Sequence, residues 1–303
     1  MSDEALRQAA LAYHAMPRPG KIGTHVFKPA ESSRDLALAY SPGVAEPVLA
    51  IAADPEAAYE YTNKGNLIGI VTDGSAILGL GNLGALASKP VMEGKALLFK
   101  RFADLDCVDI EIDAETAESF IDTVARIADS FGGINIEDVG APQCFAIEEA
   151  LRARCKVPVF HDDQHGTAIC VVAGLLNALE LQGKRLNEAK IVCLGSGAAG
   201  TATLRLLRSM GVPVANMTAV DRQGVIHAGR ENLPDYKAEF ANESPHRTLA
   251  DALRGADVFI GVSAAGLLDA ELLADVYINM TRGQEALLID AGDAPSDAKT
   301  VVV

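Results

Sequence analysis

The sequence predicts an α/β protein: an N-terminal α/β catalytic domain of parallel βαβ units, followed by a Rossmann-type dinucleotide-binding domain. Three observations carry this. Strand-length apolar runs alternate with helical patterns from Leu67 onward, a glycine fingerprint opens a second such series at Gly195, and adjacent acids close two successive apolar runs. At 303 residues the chain is long enough for two domains of ordinary size. Its 49% hydrophobic and 22% charged residues are the balance of a globular protein.

Taken in order, LIGIVTDG predicts a strand, MEGKALLFKRFA a helix, CVDIEID a strand, AETAESFIDTVARIADSFG a helix, GINIEDVG a strand, FAIEEALRARC a helix and VPVF a strand. AICVVAGLLNALELQG then predicts a long apolar helix and KIVCLG a strand, and a second alternating series runs on to LLID. No repeat, low-complexity tract or Pro/Gly/Ser linker divides the chain. The boundary is therefore expected in a tight connection at Gly166, with residues 1–165 as the catalytic and metal-binding domain and 166–303 as the dinucleotide domain, incomplete at its C-terminus.

The formal net charge of −15 argues against a nucleic-acid partner, because phosphate binding is driven by Lys and Arg. The start, MSDEALRQ, has neither a basic nor an apolar region and predicts no signal peptide. Leu67 to Ser88 is weakly charged, but Asp73, Asn82 and several glycines suit a buried strand and turn better than a bilayer span. Five cysteines without a CxxC pair predict neither a disulfide framework nor a Cys-based zinc site. They read as buried thiols in a reducing cytoplasm.

The stretch VFHDDQHGTA sets His161 and His165 four residues apart, the spacing of a helical HExxH zinc motif. VPVF reads as a strand, however, the position of the zinc protease's glutamate is Asp162, and the turn residues Gly166 and Thr167 follow at once. A zinc hydrolase is disfavoured. One βα unit earlier GINIEDVG ends the same way, so Glu137 and Asp138 are expected beside Asp162 and Asp163 at the carboxyl ends of parallel neighbouring strands, where ligands collect in α/β sheets. Four carboxylates in one crevice call for a hard divalent cation, Mg²⁺ or Mn²⁺. The alternative is that these acids are solvated caps of the following helices.

GxGxxG occurs twice. GLGNLG (Gly79, Gly81, Gly84) lacks a clean strand and acid partner and is followed by Pro90, which makes it a structural turn. GSGAAG (Gly195, Ser196, Gly197, Ala198, Ala199, Gly200) follows KIVCL, precedes the helix TATLRLLRSMG, and is followed by MTAV ending in Asp221. That context marks a cofactor-binding loop for NAD or NADP, with the pyrophosphate at the helix N-terminus and Asp221 facing the ribose. Asp221 favours NAD and the adjacent Arg222 favours NADP, so the choice stays open.

YSPGVAEP, GNLIGIVTDGSAILGLGNLGALASKPVMEGK, GGINIEDVGAP, PVFHDDQHGTA and LGSGAAG, in this order, resemble the bacterial malic enzymes over roughly residues 5 to 265. The resemblance implies oxidation of malate with NAD(P)⁺ and decarboxylation of the resulting oxaloacetate to pyruvate, with Mg²⁺ or Mn²⁺. It implies metal ligands Glu137, Asp138 and Asp163, with Asp162 in a supporting catalytic role. It makes Tyr40, of the YSPG block, the general acid and Lys95, of the MEGK block, the general base. It also implies a cytoplasmic homodimer formed through the N-terminal domain. A malolactic-type reaction fits the same scaffold, and a dinucleotide-binding or oligomerisation module with weakened turnover is the reading from another class. Beyond Gly266 the likeness fades: Gly292 stands where the family has a substrate-binding Asn, and a later Asn loop has no counterpart. Such a chain is expected to bind dinucleotide better than it turns over malate.

Overall fold

The computed structural model describes residues 3–77 and 79–263. The expectations about Gly292, the later Asn loop and the strand at LLID lie outside the described residues. Four helices come first: α1 (Asp3–Ala15), α2 (Ser33–Ala39), α3 (Ala45–Ala53) and α4 (Ala58–Tyr61). No described residue before Gly69 is buried.

The first sheet follows as β1 (Leu67–Thr72), α5 (Ala85–Ala103), β2 (Asp106–Glu111), α6 (Ala117–Ile127), β3 (Gly133–Ile136), α7 (Gln143–Arg154) and β4 (Val159–His161). Its four strands lie in the order β2-β1-β3-β4, all parallel. Parallel strands covered on both faces read as continuous apolar runs, which is why LIGIVT and GINI show no alternation. Successive side chains still leave opposite faces. Ile70 packs with Met92 and Ala96 of α5, whereas Val71, Ile134 and Ile136 pack with Phe120 and Val124 of α6 and Ile147 and Leu151 of α7. Thr116 starts α6 with a reciprocal cap, its hydroxyl accepting from the Ser119 N–H while the Ser119 hydroxyl accepts from the Thr116 N–H.

The second unit contains α8 (Asp162–Leu181), β5 (Ile191–Leu194), α9 (Ala198–Ser209), β6 (Met217–Asp221), β7 (Gly224–Val225), α10 (Asp235–Ala238), α11 (Leu249–Leu253) and β8 (Val258–Gly261). Its order is β7-β6-β5-β8, with only the short edge strand β7 antiparallel. Ile191, Cys193, Met217 and Ala219 face α8 and α9, where Val172, Leu175, Leu204 and Leu207 meet them. Val192, Leu194 and Val220 face Ala252 and Leu253 of α11. The predicted α/β class and the Rossmann-type second unit are both present.

Two expectations are corrected. Gly166 and Thr167 form no turn, for α8 begins at Asp162 and runs through them. Gly166 is needed for packing within the helix: a Cβ there would come within 2.5 Å of Asp162 Oδ1, so its hydrogen leaves room for the side chain one turn earlier. α8 therefore starts at the end of β4 and finishes in the core of the second sheet. The cysteines are free as expected, yet only Cys144 and Cys193 are buried, and Cys170 is exposed on the outer side of α8. Pro90 does not stop α5, which continues to Ala103. Among the described residues no helix is long and apolar enough to cross a membrane.

Gly74 and Gly79 separate backbone strain from collision. Both have positive φ, +66° and +75°, but a Cβ on Gly74 would strike the Gly84 carbonyl, whereas one on Gly79 meets nothing within 4 Å. Gly79→Ala is expected to lose about 1 kcal/mol and Gly74→Ala about 3 kcal/mol. Urea midpoints of the two variants check this, and equal losses would show that the collision is relieved without cost.

Candidate active site

Three elements deliver charge to one crevice. β3 ends at Ile136 and hands over Glu137 and Asp138; β4 ends at His161 and hands over Asp162 and Asp163; Lys95 reaches in from the middle of α5. Ile136 pairs with His161 in the parallel register, so the two acid pairs leave the sheet side by side. The expectation that these strands are parallel neighbours is met.

Lys95 Nζ lies 3.0 Å from Glu137 Oε1 and 2.7 Å from Asp162 Oδ2. Glu137 is 6% exposed, and its other oxygen accepts from the Asn135 amide at 2.9 Å. Asp138 is 3% exposed, has a left-handed backbone at φ +54°, and donates its N–H to Asp163 Oδ2 at 2.8 Å. Burial pushes the Glu137 carboxyl up to about 7, with Lys95 opposing and Asp163 and Asp162 reinforcing the shift. Burial likewise raises Asp163, against the pull of His161 and the Asp138 N–H. Lys95 moves upward: burial works against its charge, but Asp162 and Glu137 outweigh that. It is a cation here.

Sequence reasoning missed two residues that hold this group. Asn135, a polar residue inside an apolar strand, was the legible signal for the first. Glu148 falls on the buried stripe of α7 with Cys144, Ile147 and Leu151, which was the signal for the second. Glu148 accepts from the Gln164 amide at 3.1 Å and lies 2.6 Å from His165 Nε2. It thereby ties α7 to the first turn of α8, the turn that carries Asp162 and Asp163. His165 is thus spent on a brace. His161 is 0% exposed, and neither ring nitrogen makes a hydrogen bond. Burial lowers its pKa and keeps it neutral, and the two histidines do not converge as a zinc pair would.

Tyr40 is not brought into this group. It follows α2, is 77% exposed, and its hydroxyl makes no hydrogen bond among the described residues. Nor are three His, Cys, Asp or Glu side chains among the described residues already drawn together as a metal cluster. The donors nevertheless suit a hard cation. They are carboxylates without thiolate, and two of them, Glu137 and Asp138, are buried. Two concavities lie elsewhere, one of about 790 Å³ among α7, α8 and α9 and one of about 290 Å³ beside β5 and β6, and neither is lined by these acids.

The glycine loop divides its work by position. A Cβ on Gly195, where φ is +107°, would come within 2.7 Å of the Val262 carbonyl, and one on Gly200 would strike the Gly195 carbonyl. Gly197 has nothing within 4 Å, the open approach a pyrophosphate needs. No side chain caps α9, so the leading N–H groups at Ala198, Ala199 and Gly200 keep their dipole for an anion. Ser196 anchors the loop through its hydroxyl, which donates to the Val220 carbonyl at 3.2 Å.

Two family models match the chain, the malic enzyme N-terminal domain over residues 19–119 and the malic enzyme NAD-binding domain over residues 164–282. A solved NAD-dependent malic enzyme of Thermotoga maritima superposes with a TM-score of 0.80 at 42% identity, covering 90% of this chain and 72% of that one. The chain belongs to the malic enzyme family. A malic enzyme of Pyrococcus horikoshii superposes with a TM-score of 0.82 at 46% identity, covering 86% of this chain and 63% of that one. The NADP-dependent malic enzyme of Halomonas elongata is 63% identical over 268 residues, 88% of this chain and 64% of that protein. The NAD-dependent malic enzyme of Rhizobium meliloti is 55% identical over 88% of this chain but 35% of its own length. The chain thus spans about two thirds of one relative and about one third of the other. The resemblance read from the motif blocks is borne out.

Glu137 supplies a prediction with a definite sign. Its folded pKa of about 7 lies above its ordinary 4.5, so its contribution to stability is fully present below 4.5 and is lost as pH rises through about 7. In chelator, the urea midpoint of the parent is expected to fall over that window relative to Glu137→Gln. Parallel pH profiles of the two proteins would remove Glu137 as a strained carboxylate.

Proposed function

We propose that the chain catalyses oxidative decarboxylation of malate to pyruvate and CO₂ with reduction of NAD(P)⁺. The observation that carries the reading is the crevice in which Lys95 bridges Glu137 and Asp162, with Asp138 and Asp163 beside it, in a chain whose second unit presents an open glycine loop. Glu137, Asp138 and Asp163 would hold Mg²⁺ or Mn²⁺. When bound, such a cation would supply Lewis-acid stabilisation of negative charge developing on the substrate.

Lys95, held between Glu137 and Asp162, is the residue placed to act as general base. In its neutral form its amine would accept the malate hydroxyl proton during oxidation at C2. Asp162, 2.7 Å from Nζ, aims the amine and disperses the charge it gains. The enol finally needs a proton at C3, which the phenol of Tyr40 supplies. That assignment rests on the YSPG block.

We further propose a cytoplasmic homodimer. The N-terminal helices leave Leu36, Leu38, Val48 and Leu49 more than half exposed, apolar surface of the kind that a second subunit covers. Five free cysteines fit a reducing compartment.

Absorbance at 340 nm with malate, Mn²⁺ and each dinucleotide tests the activity. Turnover is expected with Mn²⁺ or Mg²⁺ and not with Zn²⁺. Asp163→Ala is expected to lose Mn²⁺ binding, read by electron paramagnetic resonance, with its circular dichroism unchanged. Lys95→Ala is expected to lose roughly 10²–10⁴ in kcat. Dinucleotide binding without any malate turnover would support the binding-module reading instead. Light scattering at micromolar concentration is expected to give twice the 31.7 kDa chain mass; a monomer overturns the dimer.

A further inference from the structure

The dinucleotide reading leaves open whether the adenosine ribose arrives with or without a 2′-phosphate, and the end of β6 carries an answer. An acid at this position selects NAD when its carboxylate can accept a hydrogen bond from the ribose 2′-hydroxyl. A carboxylate offers about four lone-pair sites. On Asp221 all four are taken. Oδ1 accepts from the Gln223 N–H at 2.9 Å and from Arg230 Nη1 at 2.9 Å; Oδ2 accepts from Arg230 Nη2 at 3.2 Å and from Lys237 Nζ at 2.7 Å. Arg230 is itself locked, since its Nη2 also donates to Gln223 Oε1 at 2.6 Å. Burial works against ionisation of Asp221, but Arg230 and Lys237 overcome it and hold the carboxyl down to about 2.

The charge left over is positive. Arg230 neutralises Asp221, and Lys237 then stands beside the pair with two of its three N–H donors unspent. Arg222, next to Asp221, is exposed and makes no ion pair among the described residues. The nearest acids do not offset these cations. Glu239 is occupied by Arg205 and Arg208, while Glu231 and Asp235 make no ion pair with Arg230 or Lys237.

We propose that this chain selects NADP over NAD, with Lys237 and Arg222 receiving the 2′-phosphate and Arg230 acting as a positioning residue that removes Asp221 as a ribose acceptor. The proposal rests on GSGAAG being a dinucleotide site. A phosphate dianion gains charge-assisted hydrogen bonds from an ammonium and a guanidinium, while a plain 2′-hydroxyl finds neither a free acceptor nor a charge to answer.

The test is calorimetric titration of the whole chain with 2′,5′-ADP and with 5′-AMP, which needs no turnover. The parent is expected to bind 2′,5′-ADP at least ~10-fold more tightly. Arg222→Gln and Lys237→Gln are each expected to weaken 2′,5′-ADP by roughly 5- to 10-fold and to leave 5′-AMP within about 2-fold. Arg230→Gln frees two lone pairs of Asp221, so it is expected to narrow the gap from both sides and to raise the NAD to NADP ratio of kcat/KM. Equal affinity for the two probes, or variants that weaken both alike as a purely structural role would, overturns the proposal. Binding of neither probe overturns it differently, by removing the dinucleotide site beneath it.

Discussion

The first unit turns on one partly buried cation, Lys95. Glu137, Asp138, Asp162 and Asp163 leave two adjacent parallel strands at the same level, and like charges about 4 Å apart repel by about 4 kcal/mol at an effective dielectric of 20. Lys95 makes their convergence tolerable by lying 3.0 Å from one member of the first pair and 2.7 Å from one member of the second. Burial nevertheless pushes the Glu137 carboxyl up to about 7 against the pull of Lys95, with Asp163 and Asp162 adding to the rise.

Helix α8 transmits this arrangement to the other half of the molecule. Its first turn holds Asp162 and Asp163, and its later turns bury Val172, Leu175 and Leu179 against the sheet that carries the glycine loop. Gly166 lets Asp162 fold back over the helix, and Glu148 pins the turn from outside through Gln164 and His165. A second contact joins the units, with the Phe145 ring 4.9 Å from that of Tyr236 and the Arg205 guanidinium 5.2 Å above it. Carboxylates and glycine loop are thus spaced by one continuous helix braced on both sides.

Much of this was legible beforehand for a simple reason: parallel strands, helices and glycine loops are specified by local chemistry. Apolar runs such as LIGIVT have one solution when both faces are covered, and the strand-loop-helix setting of GSGAAG demands small residues where Gly195 and Gly200 press on neighbouring carbonyls. Strand adjacency followed too, so the convergence of Glu137 and Asp138 with Asp162 and Asp163 was readable from their equivalent places. What misled was reading Gly166 as a turn. Glycine signals a need for space as well as a need for unusual φ, and only the neighbour it accommodates tells which.

By itself, then, the sequence determined the α/β class, the two parallel sheets, the family and the residue types gathered at the strand ends, because each depends on periodicity, turn chemistry or ordered motifs along the chain. Tertiary structure alone decided how those residues are spent. Lys95 is paired with Glu137 and Asp162 across 42 and 67 positions, His165 is taken by Glu148, and the four lone pairs of Asp221 are filled by Gln223, Arg230 and Lys237. Partnerships of that kind depend on which side chains meet across separate elements and on how much water is excluded where they meet. Neither quantity is encoded in local spacing, so the charge state of Lys95 and the availability of Asp221 emerge only when the chain is folded.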